Sequence, residues 1–272
     1  MRVNGEKGRH ILLISGGKDS TALAIYMRDR HPEIDMEYVF TDTHKELPET
    51  YEFLNKLEAY LEKPIIRLCN DKGDRGFDHW LDMYRNYLPA PNMRWCTRKL
   101  KIEPFEKYVG DDEAYLYIAI RADENRQGFI STKPNLVPVY PFIEDGITKD
   151  DVRRILFDSG VGLPEYYRWR TRSGCYFCFF QRKIEWVGLL ENHPGLFELA
   201  LGYEKPDQGY TWVENESLEE LRRPERVAQI KREDAKRREQ ARKRQRPKTL
   251  AQAFGVEEID IDDSPACLIC HL

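Results

Sequence analysis

The chain has 272 residues, of which 41% are hydrophobic, 12% aromatic and 33% charged, with a formal net charge of −4. That apolar content supports a real core and excludes a wholly disordered chain. No apolar run approaches the roughly 20 residues that cross a bilayer, and MRVNGEKGRH lacks the apolar stretch of a signal peptide, so a soluble cytoplasmic protein with no membrane partner is expected.

In chain order, HILLIS at residues 10–15 reads as a buried strand ended by Gly16-Gly17. DSTALAIYMRD follows at helical spacing, with Asp19 and Ser20 available as capping groups. MEYVFTDT is a second strand, Leu47 to Leu61 a helical pattern, PIIRLCN a third strand and Ala114 to Arg121 a fourth. Pro138 to Phe142 adds a short strand or extended segment before a helix signalled at Thr148. Strands alternating with helices predict an α/β fold, a mostly parallel sheet covered on both faces. Helices are then expected through Glu185 to Leu201. Leu218 to Arg246 is almost wholly polar and reads as a long solvated helix or a disordered arm. Arg222 to Lys248 holds 13 basic residues against 4 acidic ones, leaving the rest of the chain acidic. Such a run attracts phosphate backbones without reading sequence, or is a solvated helix face.

Ser15-Gly16-Gly17-Lys18-Asp19-Ser20, between a strand and a helix, carries the strongest chemical signal. Two glycines let the backbone turn sharply and approach a ligand closely. Successive N–H groups and the positive helix end favour phosphate oxygens. This hexapeptide resembles the pyrophosphate loop (PP-loop) of the ATP pyrophosphatases and the sulfonucleotide (PAPS/APS) reductases. Phe40-Thr41-Asp42-Thr43 with Leu47-Pro48-Glu49-Thr50, the stretch Ile120 to Arg126, and Pro138 to Val152 resemble further segments of that family. The resemblance implies a Rossmann-like adenine nucleotide alpha hydrolase fold binding ATP with Mg²⁺. Ser15, Gly16, Gly17, Lys18, Asp19 and Ser20 would hold phosphates. Lys18, Asp19 and Arg121 would act on a leaving pyrophosphate, and Asp42 and Thr43 would contact the nucleoside or metal. A PP-loop nucleotide-binding domain over residues 1–165, a CxxC-containing helical region over 166–215, and a basic arm with a cysteine-bearing tail over 216–272 follow.

Six cysteines include two CxxC pairs, which in a chain of this kind point to metal, cluster or redox chemistry. Cys96, followed by Thr97-Arg98-Lys99, and Cys175 with Cys178 resemble three of the four thiols that hold a four-iron cluster in APS reductases. The resemblance implies an iron–sulfur cluster (4Fe-4S) on Cys96, Cys175 and Cys178 with one iron open to sulfur; zinc and structural thiols stay as alternatives. Cys69, ending an apolar strand, reads as a buried core thiol. Cys267 and Cys270, beside His271, read as a fourth ligand or as a thiol relay, partly like the catalytic tail of PAPS reductases.

Loop, cysteines and basic arm together most resemble the ATP pyrophosphatases of DNA phosphorothioation (the DndC/SspD type). The expectation is adenylation of a DNA backbone phosphate for sulfur insertion, with a cysteine desulfurase as sulfur donor and other modification-system subunits as partners. A PAPS/APS reductase, a tRNA thiolation enzyme and a non-catalytic nucleotide-binding scaffold stay open.

Overall fold

Alternation of apolar residues on both faces makes β1 (Arg9–Ile14) the centre of the fold. In the computed structural model, which describes residues 8–70, 76–126, 128 and 133–244, Leu12 and Ile14 face one apolar cluster while Ile11 and Leu13 face another. β1 is followed by α1 (Lys18–Arg30), β2 (Met36–Thr41), α2 (Pro48–Leu61), β3 (Ile65–Leu68) and α3 (Phe77–Met83). Next come the short α4 (Trp95–Thr97), a π-helical turn (Arg98–Ile102), α5 (Glu103–Val109), β4 (Ala114–Tyr117), β5 (Leu136–Val139), α6 (Pro141–Glu144) and α7 (Lys149–Asp158). The sheet is parallel throughout its described strands, in the order β3-β2-β1-β4-β5.

One face packs on α1, α2 and α7 through Leu23, Ile25, Leu54, Leu57, Val152 and Leu156. The other packs on α5 through Phe105 and Val109. The expected helix-covered parallel sheet is therefore present. The chain leaves β1 toward β2 and β3, then returns to place β4 on the opposite side of β1. The strand order thus reverses between β1 and β4, where open α/β sheets bind ligands at the carboxyl ends.

The element expected at Pro138 to Phe142 resolves into β5 and then α6. Thr148 caps α7 as expected, its backbone N–H and its hydroxyl both donating to Asp151. Asp19 and Ser20 do not cap α1: its N-cap is Gly17, with no side-chain cap bond. Asp19 turns to Arg121 instead, and Ser20 turns back to Ser15 and Gly17 within the loop. Cys69 is exposed rather than buried, because β3 is an edge strand and the chain has already left the sheet there.

The chain divides into two compact units between Tyr176 and Phe177. In the second, α8 (Lys183–Asn192), α9 (Pro194–Gly202), α10 (Leu218–Leu221) and α11 (Pro224–Arg244) follow in order, giving the expected helical C-terminal region. Trp186, Phe197, Trp212 and Phe177 form its aromatic core, Phe177 stacking on Trp212 at 4.9 Å. The basic segment is helical as α11. Ile230 and Asp234 are buried on its inner side, and Arg237 and Arg238 pair with Asp234 while Arg232 and Lys236 stand exposed. No helix among the described residues is long and apolar enough to cross a membrane.

Glu216 ties this unit together, pairing with Lys183 at 2.6 Å and with Arg226 at 2.5 and 3.1 Å. The Arg226 hydrogen bond holds its carboxyl below the ordinary glutamate value. A depressed native pKa stabilises the fold above the unfolded-state pKa of about 4.3, and that stabilisation is lost as pH falls through the native value. Glu216→Gln is therefore expected to cost about 1 kcal/mol near pH 7. The difference from the wild-type protein should shrink in thermal melts taken toward pH 3.

Candidate functional site

β1 ends at Ile14, and Ser15 to Ser20 carry the chain into α1 at the switch point. Gly16 has φ +74°, and a Cβ there would stand 2.7 Å from Thr50 Cγ2, so both the turn and the packing of α2 require glycine. A Cβ on Gly17 would stand 2.9 Å from Ser173 Oγ. Ser20 Oγ accepts from the Ser15 amide at 3.1 Å and lies 3.0 Å from Ser15 Oγ, which closes the loop on itself. The Gly17 amide donates to Ser15 Oγ at 3.3 Å, and the Lys18 amide donates to the Tyr167 hydroxyl at 3.1 Å. Tyr166, fully buried, donates its hydroxyl to the Gly16 carbonyl at 2.7 Å.

A chain of alternating charges crosses from α1 to the end of β4. Lys18 Nζ lies 2.7 Å from Asp19 Oδ2, and Asp19 Oδ1 lies 3.0 Å from Arg121 Nη1. Arg121, only 4% exposed, also meets Asp123 at 2.9 Å and Glu124 at 2.9 Å. Burial alone would push its guanidinium down, yet the Asp19 and Glu124 carboxylates raise it above the ordinary arginine value. The guanidinium is thus a fixed positive hub whose orientation three carboxylates set.

Asp42 follows β2 and is buried. Its Oδ1 accepts from the His44 amide at 2.7 Å and from the Tyr51 hydroxyl at 2.8 Å. Burial, reinforced by that Asp42 bond, raises Tyr51 well above the ordinary phenol value. His44 has φ +57°, a strained backbone for a non-glycine residue. Thr43 Oγ1 donates to Glu46 Oε1 at 3.0 Å and lies 3.2 Å from Cys175 Sγ, while the Cys175 thiol reaches Glu46 Oε1 at 3.8 Å. Burial pushes the Glu46 carboxyl up, and its Oε2 is buried without a hydrogen-bond partner.

Residues 165–176 connect these two places. Arg170, 1% exposed, donates to the Gly174 and Cys175 carbonyls at 2.9 and 2.8 Å. Ser173 Oγ donates to Ser15 Oγ at 3.3 Å, and the Tyr176 amide donates to the Lys45 carbonyl at 2.8 Å. Sequence reasoning missed Glu46, Tyr51, Tyr166, Tyr167, Arg170 and Ser173. Only Glu46 and Tyr51 carried a signal, since they flank the Leu47-Pro48-Glu49-Thr50 stretch.

The structure brings Ser15, Gly16, Gly17, Lys18, Asp19, Ser20 and Arg121 together at the switch point, and sets Asp42 and Thr43 at the carboxyl end of neighbouring β2. Two closely approachable glycines, helix-end amides and the Lys18 ammonium fit the phosphates of a nucleotide. Cys96 lies on α4, after Trp95, which stacks on Tyr84 at 5.1 Å. Cys175 belongs to the first unit and Cys178 to the second. Among the described residues, no three His, Cys, Asp or Glu side chains gather to hold a metal ion. A cluster on Cys96, Cys175 and Cys178 is what the resemblance implies, and its donor set, three thiols, suits iron–sulfur chemistry. Cys267, Cys270 and the end of the basic arm lie outside the described residues.

The family model described as phosphoadenosine phosphosulfate reductase domain matches residues 9–179. An uncharacterized protein of Methanocaldococcus jannaschii is 26% identical over 67% of this chain and 44% of its own length. An uncharacterized nin region protein of Escherichia phage lambda is 29% identical over 66% of this chain and 68% of its own. The chain spans less than half the length of the two archaeal relatives it matches. Among solved structures, phosphoadenylyl-sulfate reductase from Candida auris in a phosphate complex aligns with TM-score 0.50 and 14% identity. That alignment covers 61% of this chain and 81% of that one, and it supports the fold. A match of this extent, over the same sheet and loop that build the switch-point site, shows that the chain belongs to the phosphoadenosine phosphosulfate reductase domain family, within the PP-loop superfamily.

Proposed function

We propose that the chain is an ATP pyrophosphatase coupled to sulfur transfer, which adenylates a DNA backbone phosphate so that sulfur replaces one of its oxygens. The observation that carries this reading is that one short segment touches the phosphate loop and carries a thiol set against the residue after β2: Ser173 Oγ lies 3.3 Å from Ser15 Oγ, and Cys175 Sγ lies 3.2 Å from Thr43 Oγ1. A nucleotide-activated oxygen and a sulfur nucleophile are the two reactants that such chemistry must hold together.

In the proposed reaction a DNA phosphate oxygen attacks the α-phosphorus of ATP and pyrophosphate leaves. The terminal sulfur of a persulfide then attacks the adenylated phosphate and AMP leaves, and an external thiol cleaves the resulting S–S bond, itself becoming a disulfide and leaving the sulfur on phosphorus. The Gly17 and Lys18 amides and the Lys18 ammonium hold the departing pyrophosphate, and Asp19 keeps Lys18 and Arg121 aimed. Bound Mg²⁺ supplies further charge to the phosphates. Asp42, fixed by Tyr51, faces the nucleoside or that ion. A cysteine desulfurase delivers the sulfur, other subunits of a modification system complete the assembly, and the exposed Arg232 and Lys236 of α11 meet the DNA backbone.

The test is an assay for AMP and pyrophosphate release from ATP with DNA, cysteine, a desulfurase and a thiol reductant, beside an assay for sulfite release from PAPS with thioredoxin. AMP formation that depends on DNA, with phosphorothioate in the product, is the expected result. Sulfite release without ATP would replace this reading with the sulfonucleotide reductase, which the family model also favours. Asp19→Asn should lower turnover about 100-fold, the scale of losing one preorganised electrostatic contact.

The iron–sulfur cluster on Cys96, Cys175 and Cys178 is a separate proposal resting on the resemblance alone. Iron and acid-labile sulfide analysis after anaerobic purification should give about four irons per chain, lost in Cys175→Ser; an iron-free protein would dismiss it. Replacing Arg232 and Lys236 with alanine should reduce the salt dependence of DNA binding by a log–log slope of about 2. An unchanged slope would make α11 a solvated face.

A further inference from the structure

The first amides of a helix have no acceptor within it, and at a phosphate loop they await a ligand. At the start of α1 one of these positions is already filled by the protein. The Lys18 amide donates to the Tyr167 hydroxyl at 3.1 Å, across 149 residues of sequence. The phenol oxygen therefore stands where a phosphoryl oxygen would accept. Burial raises Tyr167 above the ordinary phenol value, so it is a neutral acceptor. An anionic phosphoryl oxygen accepts a stronger, charge-assisted bond from the same amide.

Tyr167 cannot leave that amide alone. It lies in the 3₁₀ turn Glu165–Arg168 and stacks on Tyr166 at 4.9 Å, and Tyr166 is itself bonded to the Gly16 carbonyl. The Arg170 amide donates to the Tyr166 carbonyl at 2.8 Å, and the Arg170 guanidinium grips the Gly174 and Cys175 carbonyls. The Tyr167 ring is thereby linked, through its stack on Tyr166 and the part-buried hydrogen bonds of Arg170, to the peptide carrying Cys175.

We propose that Tyr167 is a built-in surrogate for a phosphoryl oxygen: its hydroxyl holds the Lys18 amide until the phosphates of a nucleotide take it, and its release shifts the segment that bears Cys175. The ligand class is the polyphosphate chain of a nucleotide. The inference rests on the reading of Ser15 to Ser20 as a phosphate site. It makes thiol placement a consequence of phosphate binding and not a fixed feature of the fold.

Calorimetric titration of the full chain with inorganic pyrophosphate, in the wild-type protein, Tyr167→Phe and Tyr166→Phe, tests the competition. Tyr167→Phe should bind about fivefold tighter, the scale of one neutral hydrogen bond no longer competing. Tyr166→Phe, which loses a bond to a carbonyl that no phosphate contests, should gain nothing. Hydrogen exchange on the wild-type protein reads the second half without any variant. Pyrophosphate should slow exchange in residues 15–21 and speed it in residues 165–176. Equal or weaker binding by Tyr167→Phe, or protection of both segments, overturns the inference while leaving the phosphate site standing. No pyrophosphate binding by any of the three proteins overturns both.

Discussion

The site depends on the buried pair of Asp19 and Arg121. It joins the first turn of α1 to the chain just beyond β4, across the point where the strand order reverses. Removing two ions from water costs several kcal/mol each, and mutual attraction repays this only if their remaining hydrogen-bonding groups are satisfied. Much of that is met here: Lys18 occupies the other oxygen of Asp19, Glu124 shares Nη1 of Arg121 with Asp19, and Asp123 takes its Nε. Such a network is weak evidence for stability but strong evidence for fixed orientation. The phosphate loop therefore meets its ligand in an electrostatic frame set in advance, and catalysis draws on that kind of frame because charge developing in the reaction finds its dipoles in place.

That frame is held by apolar packing that either face of the sheet could lose only at high cost. Leu12 and Ile14 point to α1 and α2, and Ile11 and Leu13 to α5. β1 therefore cannot slip by one residue without exchanging both clusters. Its end, and the turn at Gly16, are fixed relative to Thr50 on α2 by the absent Cβ. Position of the loop is a packing result; charge at the loop is an electrostatic one. The two meet at Asp19, whose backbone belongs to the first turn of α1 and whose carboxylate belongs to the ion network.

Much of this was legible in the sequence where the signal is local. Short apolar runs punctuated by Gly16-Gly17, by Pro48 and by Thr148 mark strands and helix starts, because strand burial and capping are decided within a few residues. Asp19 and Ser20 misled for the same reason. Near a helix start they look like caps, yet Asp19 turns to Arg121, 102 residues away, and Ser20 turns back to Ser15. Cys69 misled because an apolar stretch does not say whether its strand lies at the centre or the edge of the sheet, and β3 lies at the edge. Tyr166, Tyr167, Arg170 and Ser173 left no pattern to read. Their partners lie at Gly16, Lys18, Gly174, Cys175 and Ser15, and only the folded topology brings the first, second and last of these near.

The distribution of burial along residues 165–176 explains why this segment, and not a surface loop, links the loop to the thiol. Tyr166 and Arg170 are almost wholly buried, and each donates to a backbone carbonyl, so neither can turn outward without leaving an accepting carbonyl unpartnered. Gly174 adopts φ +132°, open only to glycine, which lets two successive carbonyls, its own and that of Cys175, turn toward one guanidinium. A segment tethered at Tyr166, Tyr167, Ser173, Cys175 and Tyr176 and bent at one glycine behaves as a lever and not as a flexible tether. A ligand that moves its Tyr167 end would act on the peptide at Cys175 through the Tyr166–Arg170 bond and the grip of Arg170 on the Gly174 and Cys175 carbonyls.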